Sequence, residues 1–531
     1  MSELKKSIGP GALIAIGAAG VIGSSYLYLS STLFDNFTFG GVVIGMVIAT
    51  ILASCVAIGI SELAAMFPRA GGELVYSYVG FGRFAGFLVG WLLICTYIGI
   101  VAFYVTATGQ LLSTVIPELL TIPLYDIGGG QVYLPVLLVG AVMLLVMLGL
   151  NWFGAQLSFG VQLLLFVVLV VIGVVITVVG FTTGSVSNAT PIFGDAGVEG
   201  GLVLSFAFVI PALGFLTGFS IVAVLAEEAD VKPRRLGAIV IASVVVAGLF
   251  YAIIFAATGW VIPWSETAQL TNGTIEAFDV AGFHWVSLAA FVAGVLGILT
   301  TVIAVFASSS RLLFSLARVG LLPPFLGKVD EKSGVPRNAL LFTTVVGLLL
   351  GAVGPNTIQW FLNVGGFNVA LVWVVTVLAF YTIRRKHPER QRPYRVRATF
   401  APALGGLAGL ALVVMTLVPA SPISFQSPFE YGMLGLFIVL GVILYFMAPR
   451  TMSRQDSLDL LLGEGEMEVP EGERVKDEKW VEKRRSTAKL NGRRVDAASG
   501  DTTPEMGGPA AAVAQPASEK RSANPASGRI S

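Results

Sequence analysis

Long apolar stretches separated by short polar ones make up the first 450 residues of the chain. Twelve of these stretches are long enough to cross a hydrocarbon layer of about 30 Å as helices that rise about 1.5 Å per residue. Their apolar residues are continuous, whereas the strands of a membrane β-barrel alternate apolar and polar positions. The predicted spans are residues 10–31, 39–66, 84–115, 132–151, 154–180, 201–226, 235–262, 283–317, 338–355, 358–383, 399–419 and 431–449. The pattern therefore predicts an all-α integral membrane protein with twelve transmembrane helices, embedded in a lipid bilayer.

Residues 451–531 have a different composition, rich in Glu, Lys, Arg, Ser, Pro and Ala. From about residue 480 they contain almost no large apolar side chain, so folding could not bury enough surface to offset the entropy that ordering costs. We therefore divide the chain into a twelve-helix membrane domain, residues 1–450, and a mostly disordered tail, residues 451–531, with one short helix near residues 473–487. A passive tail and a tail that binds a partner of unknown identity both stay open.

Lysine and arginine occur only in every second polar segment, and this sets the orientation of the chain. The segments between them contain nine acidic residues and neither Lys nor Arg. Loops rich in Lys and Arg stay on the cytoplasmic side of a membrane. The basic residues are Lys5, Lys6, Arg69, Arg83, Lys232, Arg234, Arg235, Arg318, Lys328, Lys332, Arg337 and the group between Arg384 and Arg397. This distribution predicts a multi-pass protein of the cell (plasma) membrane with both termini in the cytoplasm.

The composition excludes several classes of function. Charged residues make up 12% of the chain, about half of the ~25% found in water-soluble domains, and a net charge of +1 gives no field that attracts nucleic acid. Cys55 and Cys95 both lie in apolar stretches, which argues against a disulfide framework or a zinc site. With two histidines and no acid in the middle of a span, the titratable groups of an active site are missing. We therefore expect neither an enzyme nor a metal or cofactor.

The first and the sixth span contain residues that interrupt helices. Residues 16–25 read IGAAGVIGSS, and residues 211–220 read PALGFLTGFS. Because glycine is a poor helix former and proline removes a donor, backbone groups are freed at both places and must face protein or a wet cavity. Spans 1 and 6 are five apart, the spacing of a five-plus-five inverted repeat whose broken helices form a midplane site. Free N–H and C=O groups there suit the two charges of an α-amino acid, although close packing through small residues is the alternative explanation.

Four further motifs occur in order along the chain, each on the predicted inner side. They are Glu62–Glu73 (ELAAMFPRAGGE) with Tyr76–Gly82 and Gly90-Trp91; Gly218-Phe219-Ser220 with Ala226-Glu227-Glu228 and Lys232–Arg235; Ser309-Ser310-Arg311 with Ala317–Pro323; and Arg384–Pro388 with Arg392-Pro393-Tyr394. On these motifs the chain resembles, from about residue 7 to residue 450, the amino acid–polyamine–organocation (APC) permeases, which share the LeuT-type fold. The resemblance implies a secondary-active amino acid transporter that works by alternating access, with spans 1–5 and 6–10 as the inverted repeat and spans 11 and 12 at the periphery.

The resemblance also implies which backbone groups bind the substrate. Helix 1 of the family carries a G-S/T-G turn whose amides hold the substrate carboxylate. Gly23, Ser24 and Ser25 occupy the matching positions, with serine in place of the last glycine. Carbonyl groups near Ile22 and Gly218 would bind the amino group.

The helix 6 motif of the family, GFE, matches Gly218-Phe219-Ser220, so its acid is replaced by Ser220. The family's gating aromatic would fall at Gly214, where Phe215 is the neighbouring aromatic that could substitute for it. Asn363 is a further candidate ligand, because an amide within a span needs a hydrogen-bond partner. Other residues that could line the cavity are Tyr97, Tyr104, Trp360 and Asn368. For all of these residues a turn or packing role is the alternative.

The sequence leaves the coupling ion open. In sodium-coupled relatives a cation lies between broken helix 1, here at Gly20, and hydroxyls of helix 8, where Ser308 and Ser309 match. Back-bonding of these hydroxyls within the helix is the alternative. Some proton-coupled relatives carry a lysine on helix 5, whereas residues 154–180 contain neither Lys nor Arg. Na+ or H+ as the coupling ion, exchange and facilitated passage therefore all stay open.

Motif residues on the inner side are expected to gate the site or to stabilise the fold. They are Glu62, Arg69, Glu227, Glu228 and Arg311. Arg311 lies on the inner half of helix 8, where it can pair with acids of the inner loops.

The absence of acids at mid-depth predicts the class of substrate. A cationic side chain in a dry site needs a carboxylate partner, because an unpaired buried charge is costly. A neutral, apolar amino acid is therefore favoured over lysine, arginine or polyamines. Two alternatives are kept: a transporter of organic cations, polyamines or another small solute, and a non-transporting membrane nutrient sensor whose tail carries the output.

Overall fold

The computed structural model describes residues 8–127, 130–153, 155–354, 357–421, 423–425 and 428–498. The α-helices are α1 (Pro10–Val21), α2 (Ser25–Tyr28), α3 (Ser30–Met66), α4 (Glu73–Phe81), α5 (Arg83–Ser113), α6 (Leu134–Trp152), α7 (Ala155–Thr183), α8 (Gly197–Leu216), α9 (Ile221–Val224), α10 (Pro233–Val261), α11 (Trp264–Thr267), α12 (Gly273–Val280), α13 (His284–Arg318), α14 (Arg337–Gly351), α15 (Thr357–Lys386), α16 (Phe400–Leu417), α17 (Phe429–Met447), α18 (Arg454–Leu462) and α19 (Glu471–Ala498). Strands β1 (Pro123–Ile127) and β2 (Gly130–Tyr133) form an antiparallel hairpin between α5 and α6. The all-α class predicted from the apolar pattern is confirmed.

Eleven helical stretches of the described chain are long and apolar enough to cross a membrane. The interrupted pair α1–α2 is the first of them, and residues Gly194–Val224, which contain α8 and α9, are the sixth. The remaining predicted span, residues 338–355, corresponds to α14. Its 15 residues rise only about 22 Å. Every predicted helix is therefore present, and the number of twelve crossings depends on the short helix α14.

The spans differ in how far the protein surrounds them. In the most apolar part of Gly194–Val224, 94% of the residues are buried, and in α1–α2 83% are buried, against 22% in α7 and in α17. The two interrupted spans are therefore central. Their freed backbone groups are shielded from lipid, where an unpaired N–H or C=O would be costly.

Both halves of the membrane domain have the same order of helices, as an inverted repeat requires. The first half is the interrupted pair α1–α2 followed by α3, α5, α6 and α7; the second is the interrupted pair α8–α9 followed by α10, α13, α14 and α15. α3 packs against α8 and α10, and α5 packs against α13 and α15. α16 and α17 follow the repeat, and only 39% and 22% of the residues in their most apolar parts are buried.

The inner side, meaning the side predicted to be cytoplasmic, continues past the last span into an ordered segment. Residues up to Val481 belong to the same compact unit as the membrane helices. α18 begins with a capping box between Ser453 and Asp456 and buries Leu458 and Leu462. The domain boundary predicted at residue 450 thus lies inside a compact unit, because leucines of α18 find buried positions that the polar composition of this region does not indicate.

Charged side chains join this segment to the inner loop between α3 and α5. Arg69 donates from Nε to the Leu462 carbonyl at 2.9 Å, and Arg83 forms an ion pair with Asp477 at 2.7 Å. α19 covers the short helix predicted near residues 473–487. The prediction of disorder also concerns residues 499–531, which lie outside the described residues, as do residues 1–7.

Candidate functional site

The first interruption frees backbone groups on the residues that follow Val21. α1 ends there, and Ile22 leaves the helical conformation with φ −77° and ψ 86°. The hydroxyl of Tyr251, on α10, fills the gap. It donates to the Val21 carbonyl and accepts a hydrogen bond from the Gly23 N–H at 2.8 Å. One phenol thus serves both a freed acceptor and a freed donor of the broken turn.

A second phenol, that of Tyr104 on α5, lies on the other side of the same turn. It accepts a hydrogen bond from the Ser24 N–H at 3.4 Å. A Cβ added at Gly23 would lie 2.3 Å from the Tyr104 hydroxyl oxygen. Behind the turn, a Cβ at Gly297 of α13 would lie 2.9 Å from the Gly23 carbonyl carbon. A side chain at Gly23 would therefore displace the Tyr104 hydroxyl, and a side chain at Gly297 would collide with the backbone of the turn.

The second interruption lies between α8 and α9. Residues Thr217–Ser220 form one turn of 3-10 helix, preceded within α8 by Pro211, which cannot donate a helical hydrogen bond. Gly218 of this turn packs directly on the backbone of Gly20, since a Cβ added to Gly218 would lie 2.0 Å from the Gly20 carbonyl oxygen. The two interrupted helices therefore cross in backbone contact, as the pairing of spans 1 and 6 predicts.

A cavity lies where the two interruptions meet. Its walls combine glycine backbone, apolar side chains and hydroxyl groups, and none of the described residues that line it carries a charge. They are Gly20, Val21, Gly23, Ser25, Thr96, Ile100, Phe103, Tyr104, Gly214, Phe215, Gly218, Tyr251, Thr301, Phe361, Leu362 and Gly365. Such a site can bind a small solute through backbone dipoles and enclose an apolar group of the solute.

Most of the predicted substrate-binding residues meet at this cavity. Those that line it are Gly23, Ser25, Gly214, Phe215 and Gly218. Phe215 contacts Tyr251 edge to face with ring centroids 5.6 Å apart, so an aromatic ring does stand beside Gly214. Ile22 and Ser24 belong to the same buried turn, and the Ser24 hydroxyl has no hydrogen-bond partner in the part of the chain that the structure describes.

Two of the predicted residues lie away from this cavity. Ser220 is one turn further along the sixth span, where its hydroxyl shares a hydrogen bond of 3.2 Å with the Tyr97 hydroxyl. Asn363 lines a separate cavity, and its amide donates to the Glu430 carboxylate at 2.7 Å. A role of Asn363 in binding substrate stays a prediction.

The hydroxyls predicted to hold a cation are bonded elsewhere. Ser308 donates to the carbonyl of Ala304 at 2.8 Å, within α13. Ser309 donates to the carbonyl of Phe306 at 3.0 Å and also bonds Thr343 of α14 at 3.1 Å. Gly20 does line the cavity. Among the described residues, no cluster of three or more His, Cys, Asp or Glu side chains is arranged to hold a metal ion.

Sequence reasoning missed Tyr251 and Thr301. Tyr251 lies in the middle of a largely apolar span, and a buried phenol needs a hydrogen-bond partner. The sequence therefore did indicate that Tyr251 bonds another polar group within the membrane domain. Thr301 of α13 reaches the Ala19 carbonyl of α1 at 3.4 Å. A threonine can satisfy its hydroxyl within its own helix, and the sequence therefore does not distinguish Thr301 from the other hydroxyls of α13.

The predicted inner-side residues form ion pairs. Arg311 binds Glu228 with two parallel hydrogen bonds, of 2.7 and 3.1 Å, and this bidentate geometry is the strongest that the two groups can form. The Glu227 carboxylate accepts from the Ala70 N–H at 3.0 Å and lies 3.6 Å from Arg318. These contacts join the end of the sixth span to α13 and to the loop between α3 and α5.

Glu62 holds a second set of contacts at the inner end of α3. Its carboxylate, 0% exposed, accepts from Arg384 Nε at 2.8 Å, from Arg392 Nε at 3.2 Å and from the Val396 N–H at 2.8 Å. A buried carboxylate with donors from three residues is satisfied, and it holds two arginines at the inner end of α3. Arg69 bonds the tail segment, as described above.

One more acid lies close to the interruptions. Glu73, in the inner loop motif, is 1% exposed, and Ser220 forms a hydrogen bond with its carboxyl group. None of the described residues that line the cavity is an acid, whereas Glu73 lies between two spans and is nevertheless buried near the second interruption. The sequence places Glu73 between two spans, where acids are ordinarily solvated.

Comparison with known proteins matches this chain to amino acid permeases and other transporters. A family model described as amino acid permease matches residues 11–443. The branched-chain amino acid permease BcaP of Bacillus subtilis is 26% identical over 476 residues, 85% of this chain and 95% of the relative. The methylthioribose transporter of the same organism is 26% identical over 83% of this chain and 93% of its own. Cationic amino acid transporter 3, mitochondrial, of Arabidopsis thaliana is 26% identical over 66% of this chain and 58% of its own.

Proposed function

The chain belongs to the amino acid permease family, and from this premise we propose that it is a secondary-active transporter of a neutral, apolar α-amino acid. The substrate crosses the plasma membrane by alternating access, bound between the two interruptions. The observation that carries the proposal is the cavity itself, which combines freed backbone groups with apolar side chains and has no charged group among its described lining residues.

The polar end of the substrate takes the position of the tyrosine hydroxyls. The substrate carboxylate accepts from the N–H groups of Gly23 and Ser24, which bond Tyr251 and Tyr104 in this structure. The ammonium group donates to carbonyls at Ile22 and Gly218. Partial positive and negative charges at the ends of broken helices favour this orientation.

The apolar end of the substrate lies against the rest of the wall. Phe103, Phe215, Phe361 and Leu362 line the cavity, and they favour a branched or aromatic side chain through burial of apolar surface. A lysine or arginine side chain would find no carboxylate among the described lining residues, and a buried unpaired charge is costly. The branched-chain permeases among the relatives support this reading. The relatives also include a methylthioribose transporter and a cationic amino acid transporter, so membership of the family alone does not determine the substrate.

Counterflow in proteoliposomes tests the substrate class, because exchange reports recognition without requiring a driving force. Vesicles are preloaded with neutral amino acids, with lysine and arginine, or with polyamines, and a trace of the same labelled pool is added outside. We expect label to accumulate only with the neutral pool. Accumulation with the cationic pools would mean that carbonyls and aromatic rings alone hold a positive group.

The variant Gly23→Leu tests the site. We expect it to abolish counterflow while insertion into the membrane is unchanged, because the new side chain collides with the Tyr104 hydroxyl. Gly432→Leu on α17 is the matched control, since a Cβ at Gly432 meets no atom within 4 Å. Normal counterflow by the Gly23 variant would remove the first interruption from the binding site.

A further inference from the structure

A carboxyl group that forms no ion pair with any described residue is buried near the second interruption. Glu73 is the first residue of α4, between the spans α3 and α5, and is 1% exposed. Its Oε2 atom has no hydrogen-bond partner among the described residues. Each of the buried acids Glu62, Glu227 and Glu228 forms an ion pair with an arginine. Glu73 therefore differs from these acids in its chemistry, and the transport site as described so far does not use it.

Two glycines bring Glu73 to this position. Gly71 and Gly72 have positive φ angles of 113° and 47°, which lets the loop turn sharply against the inner half of the sixth span. The Gly71 N–H donates to the Val224 carbonyl of α9 at 3.2 Å, and a Cβ at Gly72 would lie 3.0 Å from the Ala223 carbonyl carbon. These contacts place the start of α4, and with it Glu73, against the part of the sixth span that follows the interruption.

A short series of polar groups leads from Glu73 towards the cavity. The Ser220 hydroxyl interacts with the Glu73 carboxyl and shares a hydrogen bond of 3.2 Å with the Tyr97 hydroxyl. Their neighbours along the chain, Gly218 and Thr96, line the cavity. Where the family motif has an acid on helix 6, this chain has Ser220, and the nearest carboxyl group comes instead from α4.

Burial governs the charge of this carboxyl. Removal from water raises the pKa of Glu73 to about 7, and hydrogen bonds from its own backbone N–H and from Ser220 lower it only in part. The titratable and charged side chains on α4 and on the elements around it include Tyr76, Tyr78, Cys95, Tyr97, Tyr104 and Tyr381, the ion pairs Glu228–Arg311, Glu227–Arg318, Glu62–Arg384 and Arg83–Asp477, and the bases Arg385, Lys386 and Arg454. The acids among them already have arginine partners.

We propose that Glu73 is the proton-binding residue that couples substrate movement to H+. The proposal rests on the transport function proposed above. With the inner side closed, Oε2 carries the proton. When the inner half of the sixth span moves away from Gly71 and Gly72, water reaches the carboxyl, the ionised form becomes solvated, and the proton leaves to water on the inner side. The proton reaches the carboxyl from the side of the cavity, past the Ser220 and Tyr97 hydroxyls, and one H+ accompanies the substrate inward.

The test compares proton flux with exchange in the same proteoliposomes. Lumenal pH is followed with a trapped dye while substrate from the active pool is added, and uptake is measured with and without a pH gradient at clamped voltage. We expect wild-type protein to acidify the lumen when substrate is added and to accumulate label when the outside is acidic. Glu73→Gln, which keeps the shape and the bond to Ser220, should lose both while counterflow at equal pH persists. Glu73→Asp should retain proton flux with a shifted pH dependence.

Glu430→Gln is the matched control, because it removes a buried carboxyl on the peripheral helix α17 and should leave proton flux unchanged. Proton flux in Glu73→Gln equal to that of wild type would overturn the proposal, as would wild-type counterflow without any proton flux. Failure of the transport function itself gives a different result, namely no counterflow from any pool by folded wild-type protein. A protonated-carboxyl infrared band that titrates near pH 7 in wild type and is absent from Glu73→Gln tests the proton site without any substrate.

Discussion

The two interruptions share a backbone design and differ in the groups that surround them. At the first, the freed N–H and C=O groups bond the hydroxyls of Tyr251 and Tyr104. At the second, the turn ends in Ser220, whose hydroxyl interacts with the buried carboxyl of Glu73. Among the described residues, only the second turn is therefore next to a buried carboxyl group.

This difference suits the two interruptions to different roles, substrate binding at the first and proton binding near the second. Partial charges at a helix end are the same at every pH, so the first interruption can hold a zwitterion without responding to protons. A carboxyl group sealed against the second interruption responds to protons and to the movement of that helix. In our proposals, the substrate is bound by Gly23 and its neighbours, whereas the proton is bound at Glu73.

The largest expected effect is at the point where the two interruptions touch. Gly218→Ala places a methyl group 2.0 Å from the Gly20 carbonyl oxygen, so the two backbones must separate, and overpacking of this kind costs about 1–3 kcal/mol or more. We expect loss of counterflow and a lower melting temperature in detergent. Gly149→Ala on α6, where a Cβ meets nothing within 4 Å, should behave as wild type. Unchanged transport by the Gly218 variant would mean that the two turns do not need to be in contact.

Local sequence accounts for much of the first interruption and of the crossing. Glycine and proline change the conformation of the residues beside them, so the sequence predicts the turn at Gly23, the turn at Gly218 and the long apolar spans. The sequence does not predict which residues form hydrogen bonds with these turns. Tyr251 lies 228 residues from Gly23, and only the packing of α10 against α1 brings the two together.

The burial of Glu73 could not be predicted from the sequence for a related reason. Between two spans an acid is ordinarily solvated, and nothing in its immediate neighbours contradicts that expectation. Its burial goes with the positive φ angles of Gly71 and Gly72 and with the contacts of these two glycines with α9, neither of which the sequence shows. The ordered segment up to Val481 was likewise not evident, because its buried leucines are few and are surrounded by charged residues.

A smaller effect is expected at the first interruption. Tyr251→Phe removes the hydroxyl that bonds both Val21 and Gly23, and loss of such a bond costs about 1–2 kcal/mol. Substrate supplies its own polar groups to the same turn, so the melting temperature without substrate should fall while the rise on adding substrate becomes larger. The pH dependence of uptake should not move. Tyr431→Phe, whose hydroxyl lies on α17 at 3.5 Å from the Leu417 carbonyl, is the control. A shifted pH profile in the Tyr251 variant would contradict the separation of the two roles.

The smallest effect is expected at Ser220, and it has a defined sign. The Ser220 hydroxyl lowers the pKa of Glu73, which burial has raised to about 7. Ser220→Ala removes that bond, so the pKa rises further and Glu73 stays protonated to higher pH. A neutral hydrogen bond contributes about 0.5–1.5 kcal/mol, which corresponds to a shift of at most about one pH unit. The alkaline decline of proton-driven uptake should therefore move to higher pH by that amount. Thr217→Val alters a hydroxyl of the same turn that bonds the Leu213 carbonyl and should leave the profile in place. A shift toward lower pH in the Ser220 variant would mean that this hydroxyl stabilises the protonated form of Glu73 rather than the ionised form.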